Sequence, residues 1–122
     1  MLQQLTDPKA LIPLFLLTAL FLINVKARAD FTDPVEVKRL VSEGALLVDV
    51  RTKSEYESGH IDGAVNIPVD EVTDRLKDFG NQEKEIVVYC RSGARSERAR
   101  SILIGEGFKK VYNLGGIGRW PE

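Results

Sequence analysis

The stretch of residues 86–101, IVVYCRSGARSERARS, constrains the fold of this 122-residue chain more than any other part. It opens with residues 86–89, a β-branched and aromatic run that is apolar on both faces, as is typical of a buried strand in a parallel sheet. The small residues at 92–94 suit a tight turn, and apolar residues recur at helical spacing from Arg95 onward. The stretch therefore predicts a buried strand, a short loop and a helix in immediate succession.

Cys90, the single cysteine of the chain, stands where the predicted strand ends. Backbone N–H groups at a helix N-terminus create positive potential, and the neighbouring arginine side chains add charge. Such surroundings lower a thiol pKa from about 8.5 towards roughly 3.5–7.5 and also favour a bound anion. We therefore predict that Cys90 is a nucleophile in an anion-binding loop, the alternative being a buried structural cysteine. The residues predicted to bind the anion are Arg91, Ser92, Gly93, Ala94 and Arg95.

The stretch around Cys90 resembles the active loop of the rhodanese family, and specifically of its single-domain members. Three further stretches match in the family's order: residues 46–51, residues 59–68, and Gly115-Gly116-Ile117 followed by Trp120. The resemblance covers residues 31–120, nearly all of the chain after its N-terminal apolar segment. It implies a sulfurtransferase that carries a persulfide on Cys90.

The order of the predicted elements favours one α/β domain, a parallel β-sheet with helices on both faces, which is also the fold that the resemblance implies. The predicted strands are residues 46–50, 64–67, 86–89 and 110–114. The predicted helices are residues 34–43, a short helix with a capping box at 54–57, an amphipathic helix at 69–79, and residues 95–105. A tight glycine-rich turn is expected at 115–118.

Asp49 and Arg51 stand at the end of the first predicted strand. In an open α/β sheet the carboxyl ends of parallel strands line the ligand crevice, so both residues are candidates to lie beside Cys90. The resemblance implies that they support the active loop without taking part in the chemistry, and we place Ser96 in the same supporting role. A surface ion pair is the alternative for Arg51. We expect His60 to be a structural, hydrogen-bonded residue instead of the base that deprotonates Cys90.

Residues 10–25 form an apolar run without charge, about 24 Å long as a helix and shorter than the roughly 30 Å hydrocarbon core of a bilayer. The small-x-small sequence Ala27-Arg28-Ala29 favours signal-peptidase cleavage. We predict that residues 1–29 are a secretory signal and that residues 30–122 are an exported rhodanese domain in the periplasm or cell envelope. The alternative is an uncleaved membrane anchor through residues 10–25, lengthened by snorkelling Lys9 and Lys26.

The composition of the chain limits the classes of ligand and partner that it is expected to bind. The formal net charge of −1 gives no indication of nucleic-acid binding, one cysteine excludes an intramolecular disulfide, and one histidine excludes a multi-histidine metal site. We expect no metal, no cofactor and a monomer, with membrane contact only if the N-terminal segment stays uncleaved. The expected partners are a small anionic sulfur donor such as thiosulfate, and an external thiol or cyanide as acceptor.

Loop length favours sulfur over phosphate as the transferred group. Four residues separate Cys90 from Arg95, whereas phosphatases with a cysteine and arginine loop place five there. Sulfite leaves without a proton, and we expect Glu97, the nearest acid beyond the loop, to be only surface charge. The predicted function is sulfur transfer through a Cys90 persulfide. The alternatives are a non-enzymatic sulfane-sulfur carrier, a phosphatase or arsenate reductase on the same fold, and an inactive scaffold.

Overall fold

A computed structural model describes residues 30–122, which build a four-stranded sheet with the strand order β2-β1-β3-β4. Every neighbouring pair in this sheet is parallel. Its strands are β1 (Leu46–Asp49), β2 (Val65–Asn66), β3 (Glu85–Cys90) and β4 (Lys110–Gly116). The predicted fold class, a parallel sheet in a single α/β domain, is confirmed.

Helices cover both faces of the sheet. The α-helices are α1 (Pro34–Ser42), α2 (Lys53–Ser58) and α3 (Ala94–Gly105), and three 3₁₀ helices span Val69–Glu71, Thr73–Phe79 and Ile117–Arg119. Successive side chains of β3 alternate between two hydrophobic clusters, because neighbouring residues of a strand point to opposite faces. Val88 and Cys90 lie in the cluster with α3 and the two 3₁₀ helices between residues 69 and 79, whereas Val87 and Tyr89 lie in the cluster with α1.

The start of α1 follows the prediction. Pro34 occupies the first helical position, and the Asp33 carboxylate accepts a hydrogen bond of 2.8 Å from the backbone N–H of Val35. The start of α2 differs from the prediction. The capping box joins Thr52 to Glu55, two residues before the predicted pair at 54–57. The helix starts early because Arg51 is anchored in the core, and the extended backbone of Thr52 immediately after it supplies the cap.

The prediction of an amphipathic helix at residues 69–79 is wrong. The segment forms two 3₁₀ helices, Val69–Glu71 and Thr73–Phe79, and Arg75 has non-helical dihedral angles inside the second one. Val69, Val72 and Phe79 are buried in the core. The backbone N–H of Val72 bonds to the Val69 carbonyl and that of Arg75 to the Val72 carbonyl, so these turns close over three residues, as 3₁₀ turns do. Apolar residues three positions apart suit both kinds of turn, so their spacing does not distinguish them.

Two strand ends also differ from the prediction. β2 is reduced to Val65–Asn66, while β4 continues through Gly116 instead of ending at Leu114 with a turn at 115–118. The pairing register shifts between Val88 and Tyr89, so that Leu114 is an extra residue in β4. This bulge lets the glycine pair extend the strand beside the end of β3.

The predicted secretory signal or membrane anchor at residues 1–29 lies outside the described residues and stays a prediction. Among residues 30–122, no helix has both the length and the apolar character needed to cross a membrane.

Candidate active site

Cys90 is the last residue of β3, and its side chain is buried, with 1% of the residue exposed. The loop that follows folds back over the sulfur. The backbone N–H of Gly93 donates to Cys90 Sγ over 3.0 Å, and the Ser96 hydroxyl approaches the same sulfur to 3.4 Å. The sulfur therefore lies in a cup of donors between the end of a strand and the first turn of α3.

This cup determines the protonation of the thiol. Burial raises the pKa of Cys90, and hydrogen bonds from the Ser96 hydroxyl and from the backbone N–H groups of Ser96, Gly93 and Ser92 lower it more, so that the net pKa is below its ordinary value. The Ser96 hydroxyl has one proton, which either the sulfur or the Gly93 carbonyl at 3.1 Å accepts. A thiolate is the stronger acceptor, since charge-assisted hydrogen bonds are the stronger ones.

Two glycines allow this loop to form. Gly93 has φ +105°, and a Cβ at this position would lie 2.3 Å from the ring of Phe31. A Cβ on Gly116 would lie 2.6 Å from the backbone carbonyl oxygen of Arg91, which cannot move without shifting the loop. The loop is thus held between the Phe31 ring and the end of β4.

Asn113, a buried polar residue of β4, connects this strand to the loop. Its amide nitrogen lies 3.4 Å from the Gly93 carbonyl and donates to the Glu97 carboxylate over 3.1 Å, and its oxygen accepts from the N–H of Gly115 over 2.8 Å. Glu97 also pairs with Arg100. The expectation that Glu97 is only surface charge is therefore wrong, because this carboxylate fixes Asn113 at the start of α3.

Asp49 and Arg51 form a buried ion pair at the end of β1, next to β3 in the sheet, with 0% and 9% of their side chains exposed. Arg51 Nε lies 3.0 Å from both carboxylate oxygens, and Nη2 lies 2.7 Å from Asp49 Oδ2 and 2.6 Å from the Gly59 carbonyl. The guanidinium carbon lies 5.9 Å from the centre of the Tyr89 ring, directly before Cys90. The surface position considered for Arg51 is excluded, and the pair braces the end of β3.

Arg95 and Arg91, both predicted to bind an anion, have different surroundings. Arg95 forms a two-point ion pair with Glu55 of α2, with oxygen distances of 2.7 and 3.0 Å. Arg91 is exposed, and within residues 30–122 it forms no ion pair. Arg91 is thus the uncompensated cation of the loop, whereas the charge of Arg95 is largely balanced by its partner.

His60 lies away from the thiol. Its ring stacks on Tyr56 with a centroid separation of 3.7 Å, and Nδ1 is 2.9 Å from the Tyr56 carbonyl oxygen. This is the structural, hydrogen-bonded position that the sequence predicts for it. Across the described residues, no group of three or more His, Cys, Asp or Glu side chains is arranged to hold a metal ion.

The rhodanese-like domain model matches residues 33–122, which is most of the chain. The chain belongs to the rhodanese-like domain family. The parallel sheet and the cysteine loop at its carboxyl edge are consistent with membership of this rhodanese-like family.

Relatives of known name include a sulfurtransferase of Allochromatium vinosum, 40% identical over 82 residues, which are 66% of this chain and 76% of the relative. A tRNA uridine(34) hydroxylase of Buchnera aphidicola is 36% identical over 106 residues, 72% of this chain. The chain spans only a third of that hydroxylase's length. Among solved structures, the human single-domain sulfurtransferase TSTD1 has a TM-score of 0.66 and 30% identity, and the match covers 72% of this chain and 90% of the human one.

Sequence reasoning singles out the rhodanese-like loop but misses three contacts around it. The capping box predicted at 54–57 gives Glu55 no partner, so it does not indicate the pairing with Arg95. Asn113 carried a usable signal, since it is a polar residue in an otherwise apolar strand pattern. Phe31 carried none, because a single aromatic residue at the edge of a domain does not indicate what it covers.

Proposed function

We propose that this rhodanese-like domain is a sulfurtransferase that moves sulfane sulfur from an anionic donor, thiosulfate or a related compound, to an external acceptor through a Cys90 persulfide. The observation that carries the proposal is the donor cup at Cys90 Sγ, formed by the Gly93 N–H and the Ser96 hydroxyl. A cup of this kind stabilises negative charge on the sulfur before and after the transfer.

In the first half-reaction, the Cys90 thiolate attacks the outer sulfur of thiosulfate. A new S–S bond forms, the S–S bond of thiosulfate breaks, and sulfite leaves with the electron pair of that bond. Negative charge then rests on the terminal sulfur of the persulfide, so no proton is required. The exposed Arg91, which directly follows Cys90, adds positive charge that attracts the anionic donor to the loop.

In the second half-reaction, an acceptor such as cyanide or a thiolate attacks the terminal sulfur and takes it away. The S–S bond of the persulfide breaks, and its electron pair returns to Cys90 as the thiolate. The chain has a single cysteine and cannot resolve the persulfide by forming an internal disulfide. The acceptor is therefore external, and the two half-reactions predict ping-pong kinetics.

The test is to incubate purified protein with thiosulfate and to record the intact mass before and after addition of cyanide. We expect the mass to rise by one sulfur atom, then return to its starting value as thiocyanate appears. The matched control is Cys90→Ser, which keeps the size of the side chain but should gain no sulfur. Sulfur gain by the control at a tenth or more of the wild-type level, roughly, would refute the covalent mechanism, since no second thiol exists to carry it.

The same preparation separates sulfur transfer from the alternatives. A persulfide that forms but is not turned over by added thiols or cyanide would assign the chain to the sulfur carriers. Cys90-dependent hydrolysis of an aryl phosphate at a rate comparable to thiosulfate turnover would assign it to the phosphatases instead.

A further inference from the structure

The ion pair between Glu55 and Arg95 joins α2 to the loop that surrounds Cys90. Arg95 uses both Nη1 and Nη2 to reach the two Glu55 oxygens, a geometry that fixes the guanidinium plane as well as its position. The side chains are 35% and 31% exposed, so solvent reaches the pair. Glu55 is additionally held by Thr52, whose hydroxyl and N–H contact the same carboxylate oxygen. The carboxylate is therefore fixed from both sides.

Arg95 and the Cys90 thiolate interact electrostatically. The pKa of Arg95 is raised first by its hydrogen bond to Glu55, which burial opposes, and then by the negative charges of Glu55, Cys90 and Asp49. The same contact with Arg95 is the main reason that the pKa of Glu55 is lowered to about 2, so that this carboxylate is ionised throughout the physiological range. A fixed negative charge thus stands permanently beside one of the loop's two arginines.

We propose that Glu55 is a specificity-determining residue, which neutralises Arg95 and leaves Arg91 as the single uncompensated cation of the Cys90 loop. Coulomb attraction is proportional to the charge of the donor, so neutralising Arg95 weakens the binding of dianions such as thiosulfate more than that of monoanions such as an alkanethiosulfonate. A loop with both arginines uncompensated would discriminate more strongly in favour of the dianion. Glu55 acts through Arg95 and touches no reacting atom, so it is a positioning residue. The part of the inference that concerns donors rests on the proposed function.

The test measures anion selectivity at Cys90 without requiring sulfur transfer. Iodoacetate and iodoacetamide alkylate the same thiolate and differ by one negative charge, so the ratio of their rate constants cancels changes in thiolate fraction. We expect Glu55→Gln to raise the ratio of iodoacetate to iodoacetamide by about threefold or more at low salt, as is reasonable for one partly exposed charge. The increase should shrink as ionic strength rises, because salt screens exposed charges. Glutamine retains the capping position of α2.

A matched control and an opposing variant isolate the charge of Glu55. Glu57→Gln removes the same charge from the same helix, but Glu57 is exposed and lies 3.9 Å from Lys53, so the ratio should stay unchanged. Arg95→Met leaves the Glu55 carboxylate uncompensated and should lower the ratio. A structural disturbance of the loop would move both variants in the same direction. In the Arg95→Met background, Glu55→Gln should raise the ratio again, because it removes the carboxylate that Arg95→Met leaves uncompensated.

The donor preference is then measured by mass-resolved persulfide formation from thiosulfate, a dianion, and from methanethiosulfonate, a monoanion in which a methyl group replaces one oxyanion. Glu55→Gln should lower the KM for thiosulfate relative to that for methanethiosulfonate, with kcat changing less. An alkylation ratio unaffected by Glu55→Gln, or equally affected by Glu57→Gln, overturns the inference. An absence of sulfur gain in wild type with the expected alkylation ratios instead overturns the proposed function and leaves the charge-setting role of Glu55 in place.

Discussion

Two arginine–carboxylate pairs lie near Cys90, and they differ in depth. Asp49 and Arg51 are buried beside Tyr89, with a nitrogen–oxygen distance of 2.7 Å between them, and Arg51 also bonds to the Gly59 carbonyl. Glu55 and Arg95 have a similarly short contact, 2.7 Å, but about a third of each side chain is exposed. Similar contact chemistry thus occurs in two dielectric environments beside one thiol.

The difference in depth predicts a difference in role. Taking charges out of water is costly, so a buried pair is maintained only as a complete unit, and loss of one partner leaves an uncompensated charge in the core. An exposed pair is screened by solvent and contributes little to stability, yet its charge still acts on an ion bound nearby. We therefore assign the buried pair to the framework of the site and the exposed pair to its charge.

The largest effect that this comparison predicts is on stability, from Arg51→Met. The change leaves the buried Asp49 carboxylate without a compensating charge, so we expect a loss of about 3–5 kcal/mol in the free energy of unfolding. Urea denaturation measures it. The matched control is Arg75→Met, which breaks an exposed pair with Asp78 and should cost no more than about 1 kcal/mol. Equal losses in the two variants would contradict the distinction by depth.

Replacing both members of the buried pair sharpens the same point. Asp49→Leu combined with Arg51→Met removes the uncompensated charge as well as the pair, so the double variant should recover part of the stability lost in Arg51→Met. A double variant that is less stable than Arg51→Met alone would indicate that the hydrogen bonds of Asp49 matter for reasons other than charge compensation.

The next prediction concerns the thiol, which the loop's donors control more than either ion pair. Ser96→Ala removes the hydroxyl that approaches Cys90 Sγ to 3.4 Å and should raise the pKa of the thiol. Because a hydrogen bond to the thiolate lowers the pKa, its loss shifts the pH profile of alkylation by iodoacetamide to higher pH. The control is Ser101→Ala, an exposed serine of the same helix, whose profile should match that of the wild type. A profile unchanged by Ser96→Ala would assign the low pKa to the backbone amides alone.

The smallest expected effect is on the stability of Glu55→Gln. At neutral pH the loss should be at most about 1 kcal/mol, since the pair is partly exposed and screened. The stability that Glu55 contributes depends on pH because its pKa is lowered to about 2 in the folded chain, against roughly 4.3 in the unfolded chain. The contribution is complete above the unfolded value and disappears as pH falls towards the folded one. The difference between wild type and variant should therefore shrink near pH ~3, and a difference that grows on acidification would contradict the pairing.

Local sequence was sufficient for most of the fold. The apolar run at 86–89 and the small residues at 92–94 placed the strand, the loop and the start of α3 within about one residue, because hydrophobic periodicity and turn composition act over short distances. The same reasoning gave the wrong helix type for the segment at 69–79. Its apolar residues recur at a spacing that α-helical and 3₁₀ turns share, so periodicity does not indicate which backbone hydrogen bonds form.

The sequence alone was sufficient to predict a parallel α/β domain and to single out Cys90, in a small, arginine-containing loop, as the candidate nucleophile. The distribution of charge in that loop depends on contacts that only the folded chain makes. Glu55 meets Arg95 across 40 positions of sequence, and Asn113 lies 20 positions after Gly93. Such contacts depend on the parallel strand order and on the bulge that sets the register of β4. Neither the strand order nor the bulge produces a periodic pattern in the sequence, because the pairing of distant segments depends on the packing of the whole sheet.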